Sequence, residues 1–151
     1  MNIEINRILC PIDFLASSEH ALQYAVAIAK RHGAAVELLH VAQPSAYAED
    51  AVDDRKQTYD DTLRDRLQAM ADSKGDTHVT VTINVVDGTD YVEVVDRATA
   101  WPADLIVLGT HGRTGMKHLL IGSVAERVVR TASCPVCTVR HPDHMLESGK
   151  G

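Results

Sequence analysis

A stretch of glycine and basic residues in the C-terminal half carries the clearest chemical signal in this chain. Its glycines are Gly109, Gly112, Gly115 and Gly122. Its basic residues are Arg113, Lys117 and His118, and the helical pattern that follows begins at Ser123. Glycines let backbone N–H groups approach an anion closely, and a helix start adds unpaired N–H groups and the positive end of its dipole. The stretch therefore predicts a phosphate-binding site.

The spacing of these glycines matches neither of two widespread nucleotide motifs. A P-loop has a lysine between its last glycine and the following serine or threonine, whereas Gly122 directly precedes Ser123. The dinucleotide fingerprint follows the first strand, whereas the evenly spaced glycines that begin at Gly109 follow the fourth. In the alternative interpretation no ligand binds, the glycines serve only tight turns, and Ser123 and Glu126 form a capping box at the helix start. Glycines, helix start and cations together favour the phosphate.

Two other chemistries have candidate residues in the chain. A zinc site has the right residue types and spacing in Cys134, Cys137, His141 and His144. Residues three apart on an extended strand point to opposite faces, so we expect no metal to be shared by the two thiols. A serine hydrolase has candidate nucleophiles in Ser17, Ser18 and Ser123. No G-x-S-x-G elbow surrounds any of them, which makes this the weaker hypothesis.

The elements that would hold these residues alternate between strands and helices. Apolar runs at 8–12, 36–41, 104–108 and 135–139 predict buried strands, and the alternating run at 79–86 predicts a strand nearer an edge. The predicted helix N-caps are Ser17 or Ser18, Thr89 or Asp90, and Ser123. The predicted helix ends are Gly33, Gly75 and Trp101. This alternation implies an α/β fold with a parallel sheet and helices on both of its faces.

Two segments between these elements carry further predictions. The third helix is expected to bury Val92, Val95 and Ala98, and the polar, acidic residues 44–54 are expected to form a loop. Five strands and their helices fit the 151 residues of the chain as one domain of ordinary size.

Composition limits the classes of function. The chain has a net charge of -6, which argues against nucleic acid as a partner. No apolar run approaches the ~18 residues of a membrane span. The N-terminal residues lack the basic and apolar blocks of a signal peptide, and three cysteines do not form a disulfide framework. We therefore expect a cytoplasmic protein that binds neither membrane nor nucleic acid.

The chain resembles the universal stress protein family. The pattern Gly109-x2-Gly112-x9-Gly122-Ser123 has the spacing of that family's ATP-binding motif. Further likeness lies in the opening from Ile8 to Asp13, in Leu-His-Val at 39–41 and in Cys-Pro-Val at 134–136. The likeness spans residues 7–140 and is weakest at 44–74. It implies a Rossmann-like fold whose open five-stranded parallel sheet has the order 3-2-1-4-5.

The resemblance also implies which residues bind ATP. Asp13 would contact the nucleoside or a nearby divalent ion such as Mg²⁺. The main chain of Val41 would contact adenine, and Gly109 would lie beside the ribose. Helix capping by Asp13 and core packing by Val41 are the alternative interpretations. The complete expected set is Pro11, Ile12, Asp13, Val41, Gly109, Thr110, Gly112, Arg113, Gly115, Gly122, Ser123 and Val124.

These expectations combine into one functional hypothesis. Residues 1–140 form a universal stress protein domain, residues 141–151 form a flexible tail, and ATP binding serves a stress-response or regulatory role, with no catalytic residue assigned. Family members commonly pair their last strands, so we expect a homodimer through the strand from Val136 to Arg140. The alternatives are a slow ATP-hydrolysing or phosphotransfer enzyme, and a dimeric interaction module that binds AMP, a cyclic nucleotide or another anion.

Overall fold

The computed structural model describes residues 1–43, 53–111 and 121–141, which form nine strands and helices in alternation. The strands are β1 (Arg7–Pro11), β2 (Ala35–Ala42), β3 (Val81–Asp87), β4 (Leu105–Gly109) and β5 (Val136–Val139). The helices are α1 (Ala16–His32), α2 (Asp53–Lys74), α3 (Asp90–Ala100) and α4 (Ser123–Thr131). The predicted order of elements is confirmed. The predicted loop at 44–54 is too long at its C-terminal end, because α2 begins at Asp53.

All five strands lie in one parallel sheet with the order β3-β2-β1-β4-β5, as the family resemblance implied. Successive side chains on the central strands pack on opposite faces of the sheet. Ile8 and Cys10 belong to the core under α1 and α2, whereas Leu9 belongs to the core under α3 and α4. Burial on both faces is why these strands are continuous apolar runs rather than alternating ones.

Local prediction was correct at the start of α3, where Thr89 is the N-cap, and wrong at the starts of α1 and α4. Neither Ser17 nor Ser18 is the N-cap of α1, since Leu15 holds that position without a side-chain cap. Gly122, not Ser123, is the N-cap of α4, with an extended backbone at φ -72° and ψ 163°. The capping box of Ser123 with Glu126 is therefore not formed. The Glu126 carboxylate instead accepts a hydrogen bond from Arg130, one turn further along the helix, at 2.6 Å.

The helix ends agree better with the sequence. Gly33 ends α1 in the left-handed region at φ 68°, where a glycine avoids the strain of a side chain. The buried face of α3 differs from the prediction, because Val94 and Ala98 are its buried residues and Val92 and Val95 are half-buried. Valines occupy several sides of this helix, so spacing alone does not define which side faces the sheet.

A buried ion pair fastens α3 to the sheet. Glu37 in the middle of β2 has a side chain that is only 6% exposed. Arg97 on α3 donates to both of its carboxylate oxygens, from Nε and Nη2, at 2.6 Å each. These hydrogen bonds raise the pKa of the Arg97 guanidinium. Such a two-pronged contact satisfies a carboxylate that would otherwise lie unpaired beside the core.

Candidate functional site

A pocket of about 320 Å³ opens at the carboxyl ends of β1, β2 and β4, between the first turns of α3 and α4. This is where the order of a parallel sheet switches direction and where open α/β sheets bind their ligands. Its size lies at the lower end of the range for small-molecule sites. Its lining residues are Pro11, Ile12, Asp13, Ser18, Leu39, His40, Val41, Gln43, Asp90, Val94, Leu108, Gly109, Thr110, His111, Gly122, Ser123, Val124 and Ala125.

The pocket brings together most of the residues that the sequence pointed to. The expected residues that line it are Pro11, Ile12, Asp13, Val41, Gly109, Thr110, Gly122, Ser123 and Val124. Gly112, Arg113 and Gly115 lie outside the described residues, as do Lys117 and His118. The nine expected residues that the structure describes thus come from four separate elements and their loops, and meet at one end of the sheet.

Asp13 follows β1 and is held in one orientation by the start of α1. Its Oδ1 accepts hydrogen bonds from the Leu15 amide at 2.9 Å and from the Ser18 hydroxyl at 2.8 Å. The structure gives the second oxygen, Oδ2, no partner among the residues that it describes. The carboxylate is therefore both a local turn-former and a wall of the pocket, so the two interpretations of Asp13 are compatible.

Gly109 ends β4 at a point where α1 crosses the strand closely. A Cβ atom at this position would lie 2.4 Å from Ser17 Oγ and 2.7 Å from the Ser17 carbonyl carbon. These separations are far below van der Waals contact, so helix packing alone requires a glycine here. Ser17 is buried against this contact, where its hydroxyl donates to the Val139 carbonyl at 3.5 Å.

The N-terminus of α4 forms one end of the pocket. The Gly122 amide donates to the Thr110 carbonyl, and the Gly122 carbonyl accepts from the Glu126 amide at 3.0 Å, the first bond of the helical ladder. Between them, the amides of Ser123, Val124 and Ala125 have no acceptor in the described part of the chain. Unpaired amides of a first helical turn point away from the helix along its axis, where they can bind an anion.

Some polar residues of the pocket were not among the residues expected to bind the nucleotide. His40 Nδ1 lies 2.7 Å from the Ile12 carbonyl oxygen, which can only accept, so Nδ1 carries the proton. Gln43 follows β2, Asp90 begins α3, and His111 follows β4 with its Nδ1 2.8 Å from Thr110 Oγ1. Each of the last three lies just beyond a strand or at a helix start, and that position was the signal available in the sequence.

The turn after β1 contains a strained residue, Phe14, which packs against His40. Phe14 has φ 65°, the left-handed region that a bulky side chain rarely adopts. Its ring contacts the His40 ring with 4.6 Å between centroids, and the Arg66 guanidinium of α2 lies 4.1 Å from its centroid. These contacts stabilise a conformation that is unfavourable by itself. They connect the Asp13 turn to α2.

The cysteines near β5 do not lie together. Cys134 packs against the core under α3 and α4, and Cys137 packs against the core under α1 and α2. This separation is the one expected for residues three apart on an extended chain. Among the described residues, no three histidine, cysteine or acidic side chains are grouped closely enough to hold a metal. His144 lies outside those residues.

No described helix has the length and hydropathy of a membrane span.

The sequence and the fold of this chain are similar to those of known proteins. The model of the universal stress protein family matches residues 4–140. The chain is 32% identical over 143 residues to Universal stress protein MJ0531 of Methanocaldococcus jannaschii, covering 90% of this chain and 82% of that one. Among solved structures it is similar to that of protein MJ0577 of the same organism, with a TM-score of 0.81, 28% identity, and coverage of 91% of this chain and 97% of that one.

A more distant likeness concerns the fold alone. A universal stress protein whose structure was solved in complex with cAMP superimposes with a TM-score of 0.69 at 22% identity, covering 91% of this chain and 98% of that one. The match of the family model to nearly the whole chain, together with the identity to MJ0531, settles the classification. This chain belongs to the universal stress protein family.

Proposed function

We propose that this protein binds ATP in the pocket between α3 and α4 and acts as a nucleotide-dependent regulator of a stress response. The observation that carries the proposal is the N-terminus of α4, where the amides of Ser123, Val124 and Ala125 have no acceptor in the described part of the chain. These amides and the helix dipole suit the negative charge of phosphate oxygens. Arg113 would add a cation from the adjoining glycine stretch, which lies outside the described residues.

The rest of the pocket suits a nucleoside. Val41 and Leu108 line the pocket with apolar groups that can contact a base. Asp13 also lines the pocket, and its Oδ2, which has no partner among the described residues, can accept from ribose hydroxyls. The same oxygen is of the type that Mg²⁺ prefers, so ATP with Mg²⁺ is the form we propose.

Binding rather than turnover is the activity that the described residues support. Glu126, one turn into α4, pairs with Arg130 on the exposed face of the helix. Asp13 is held by two hydrogen bonds at the β1 end of the pocket. Fast phosphoryl transfer needs a positioned base and cations that follow the transferred charge. We therefore expect phosphate release far below the 1–100 s⁻¹ of typical kinases.

The proposed assembly is a homodimer through β5. This strand lies at the edge of the sheet, next to β4 alone among the described strands. An exposed edge strand presents unpaired backbone groups to which a second copy can add. The cytoplasmic location and the flexible tail at 141–151 remain predictions, and residues 142–151 lie outside those that the structure describes.

Thermal unfolding with and without Mg-ATP tests the proposal. Ligand at a hundred times its dissociation constant stabilises the native state by about 2.7 kcal/mol, which raises Tm by roughly 5–11 °C for a domain of this size. Gly122→Val places a side chain beside the α4 amides. The backbone at φ -72° and ψ 163° accommodates valine, so the variant should fold and lose the ATP-dependent shift.

A control variant and a second readout complete the experiment. Thr131→Val introduces the same side chain at the exposed opposite end of α4 and should keep the full shift. Because one protein of this fold was solved with cAMP, the ligand series includes cAMP and AMP as well as ATP. Equal ATP-dependent rises in Tm for Gly122→Val and the natural protein would show that α4 is not part of the binding site. Phosphate release in the kinase range, abolished in that variant, would make the protein an enzyme.

A further inference from the structure

The turn after β1 has a backbone conformation that its residue does not favour. Phe14 has φ 65°, and among the described residues it is the one non-glycine residue with a positive φ. Glycine adopts this left-handed region without strain, whereas phenylalanine has a Cβ that crowds the backbone and no polar group that could compensate locally. Strain of this kind persists only where surrounding contacts stabilise it, and it is frequent at binding sites. The Phe14 side chain therefore contributes contacts that a glycine would lack.

The aromatic ring of Phe14 connects a helix outside the pocket to a residue that lines it. Its centroid lies 4.6 Å from that of the His40 ring, and the Arg66 guanidinium of α2 lies 4.1 Å from the Phe14 centroid. His40 is 4% exposed and lines the pocket, where its Nδ1 donates to the Ile12 carbonyl at 2.7 Å. Arg66 is exposed and is not a lining residue. The three side chains thus form a continuous series of contacts from the surface of α2 to the pocket.

The same turn also orients Asp13, which directly precedes Phe14. The Asp13 carboxylate accepts from the Leu15 amide at 2.9 Å and from the Ser18 hydroxyl at 2.8 Å. Because the Phe14 backbone lies between Asp13 and Leu15, its φ determines whether the carboxylate and the amide can meet. A displacement of the Phe14 ring therefore affects Asp13 through the backbone and His40 through direct contact.

We propose that Phe14 and Arg66 are positioning residues for the nucleotide. The contact between them holds Asp13 and His40 in the orientation that binds Mg-ATP. These roles rest on the proposed function, since they concern the affinity for a nucleotide. A purely structural role predicts something different. Loss of a packing contact would then lower the stability of the fold and leave the affinity of the folded protein unchanged.

Dissociation constants for Mg-ATP, measured by calorimetry, test these roles. Arg66→Met retains a long unbranched side chain and removes the charge, and we expect Mg-ATP to bind roughly twofold to fivefold more weakly, the effect of losing an exposed cation–π contact. Phe14→Asn introduces a residue that tolerates the left-handed region but has no ring, and we expect binding to weaken roughly tenfold or more. Phe14→Tyr keeps the ring and should bind as tightly as the natural protein.

Matched variants separate an effect of position from an effect of charge. Arg64→Met removes the same charge from an exposed position of the same helix, where Arg64 Nη1 lies 3.6 Å from Asp61 Oδ1, and should leave the affinity unchanged. In the Phe14→Asn background, Arg66→Met should cause no further loss, because Arg66 acts through the ring. Melting temperatures without nucleotide show whether each variant is folded. Arg66→Met alone tests the role if Phe14→Asn does not fold, because the Arg66 side chain is exposed.

Two results would overturn the positioning roles and leave the proposed function intact. One is an unchanged affinity in folded Arg66→Met and Phe14→Asn. The other is an equal loss from Arg66→Met with and without the Phe14 ring, which would mean that Arg66 acts on the ligand directly. Failure of the natural protein to bind Mg-ATP overturns the proposed function and both roles with it.

Discussion

Gly109 is expected to matter for two reasons, the close packing of α1 on β4 and the contact with the ligand, and substitutions can separate them. Gly109→Ala adds a single methyl group, which would lie 2.4 Å from Ser17 Oγ, 2.7 Å from its carbonyl carbon and 2.8 Å from its carbonyl oxygen. The hydroxyl can rotate away, but the two backbone atoms move only if α1 moves. Overpacking of this kind costs roughly 1–3 kcal/mol. For a domain of this size, that corresponds to a fall in Tm of roughly 2–12 °C.

Gly33 supplies the contrasting case, because its constraint is in the backbone and not in the space around it. A Cβ at Gly33 would meet nothing within 4 Å, but φ is 68°. Asparagine tolerates the left-handed region better than alanine, so Gly33→Asn should be the milder change there. At Gly109 the order should reverse, because asparagine is larger than alanine and the clash decides.

Urea unfolding of these four variants without nucleotide measures the effect. The expected result is that Gly109→Asn is less stable than Gly109→Ala, which in turn is less stable than the natural protein. At Gly33, the alanine variant should be less stable than the asparagine variant, and both should be less stable than the natural protein. If Gly109→Ala unfolds at the same urea concentration as the natural protein, α1 does not approach the end of β4 as closely as described. Gly109 would then matter for the ligand alone.

Three further predictions concern other parts of the structure. Arg97→Met should cost more stability in urea unfolding than Glu37→Gln, because it leaves a carboxylate that is 6% exposed without its partner, whereas Arg97 is 31% exposed and can be hydrated; equal losses would contradict this burial. Thr138→Pro should convert a dimer into a monomer in light scattering, whereas a mass of 16.5 kDa for the natural protein would contradict the dimer. The amides of Ile106 and Thr110 donate to the Pro135 and Val139 carbonyls of β5. Because backbone groups of successive residues point to opposite sides of a strand, the Thr138 N–H points toward the open edge, where proline would remove it. Burial raises the pKa of the Cys10 thiol to about 12, so at pH 8 iodoacetamide should modify Cys10 only after urea unfolding, and modification of the native protein, detected by peptide mass spectrometry, would show that β1 opens.

Much of the fold was predictable because its central strands, β1, β2 and β4, are buried on both faces. Ile8, Leu9 and Cys10 are fully buried, and such runs stand out in a sequence whatever surrounds them. The position of the pocket was predictable for a related reason, since loops that follow parallel strands meet at one edge of the sheet. The glycine spacing then predicts which of those loops would bind phosphate.

Local signals were least informative at helix starts. Ser123 followed by Glu126 has the pattern of a capping box, yet Gly122 occupies the N-cap and Arg130 binds Glu126. Ser18 has the type of an N-cap, yet its hydroxyl binds Asp13 Oδ1 across the turn from β1. In both cases a side chain four or five residues away competes with the local cap, and the sequence pattern does not show which contact is formed.

The sequence by itself determined the α/β class, the alternation of elements and the loop that should hold phosphate, because periodicity and glycine spacing are local properties. Only the tertiary structure decided which other residues line the pocket. Asp90, Gln43 and His40 reach it because the sheet order places β2 and α3 beside β1. Gly109 is required by the crossing of α1 over β4, a contact between residues 92 positions apart in the sequence. Contacts between residues so far apart depend on the order of the strands in the sheet, and a local sequence pattern does not specify that order.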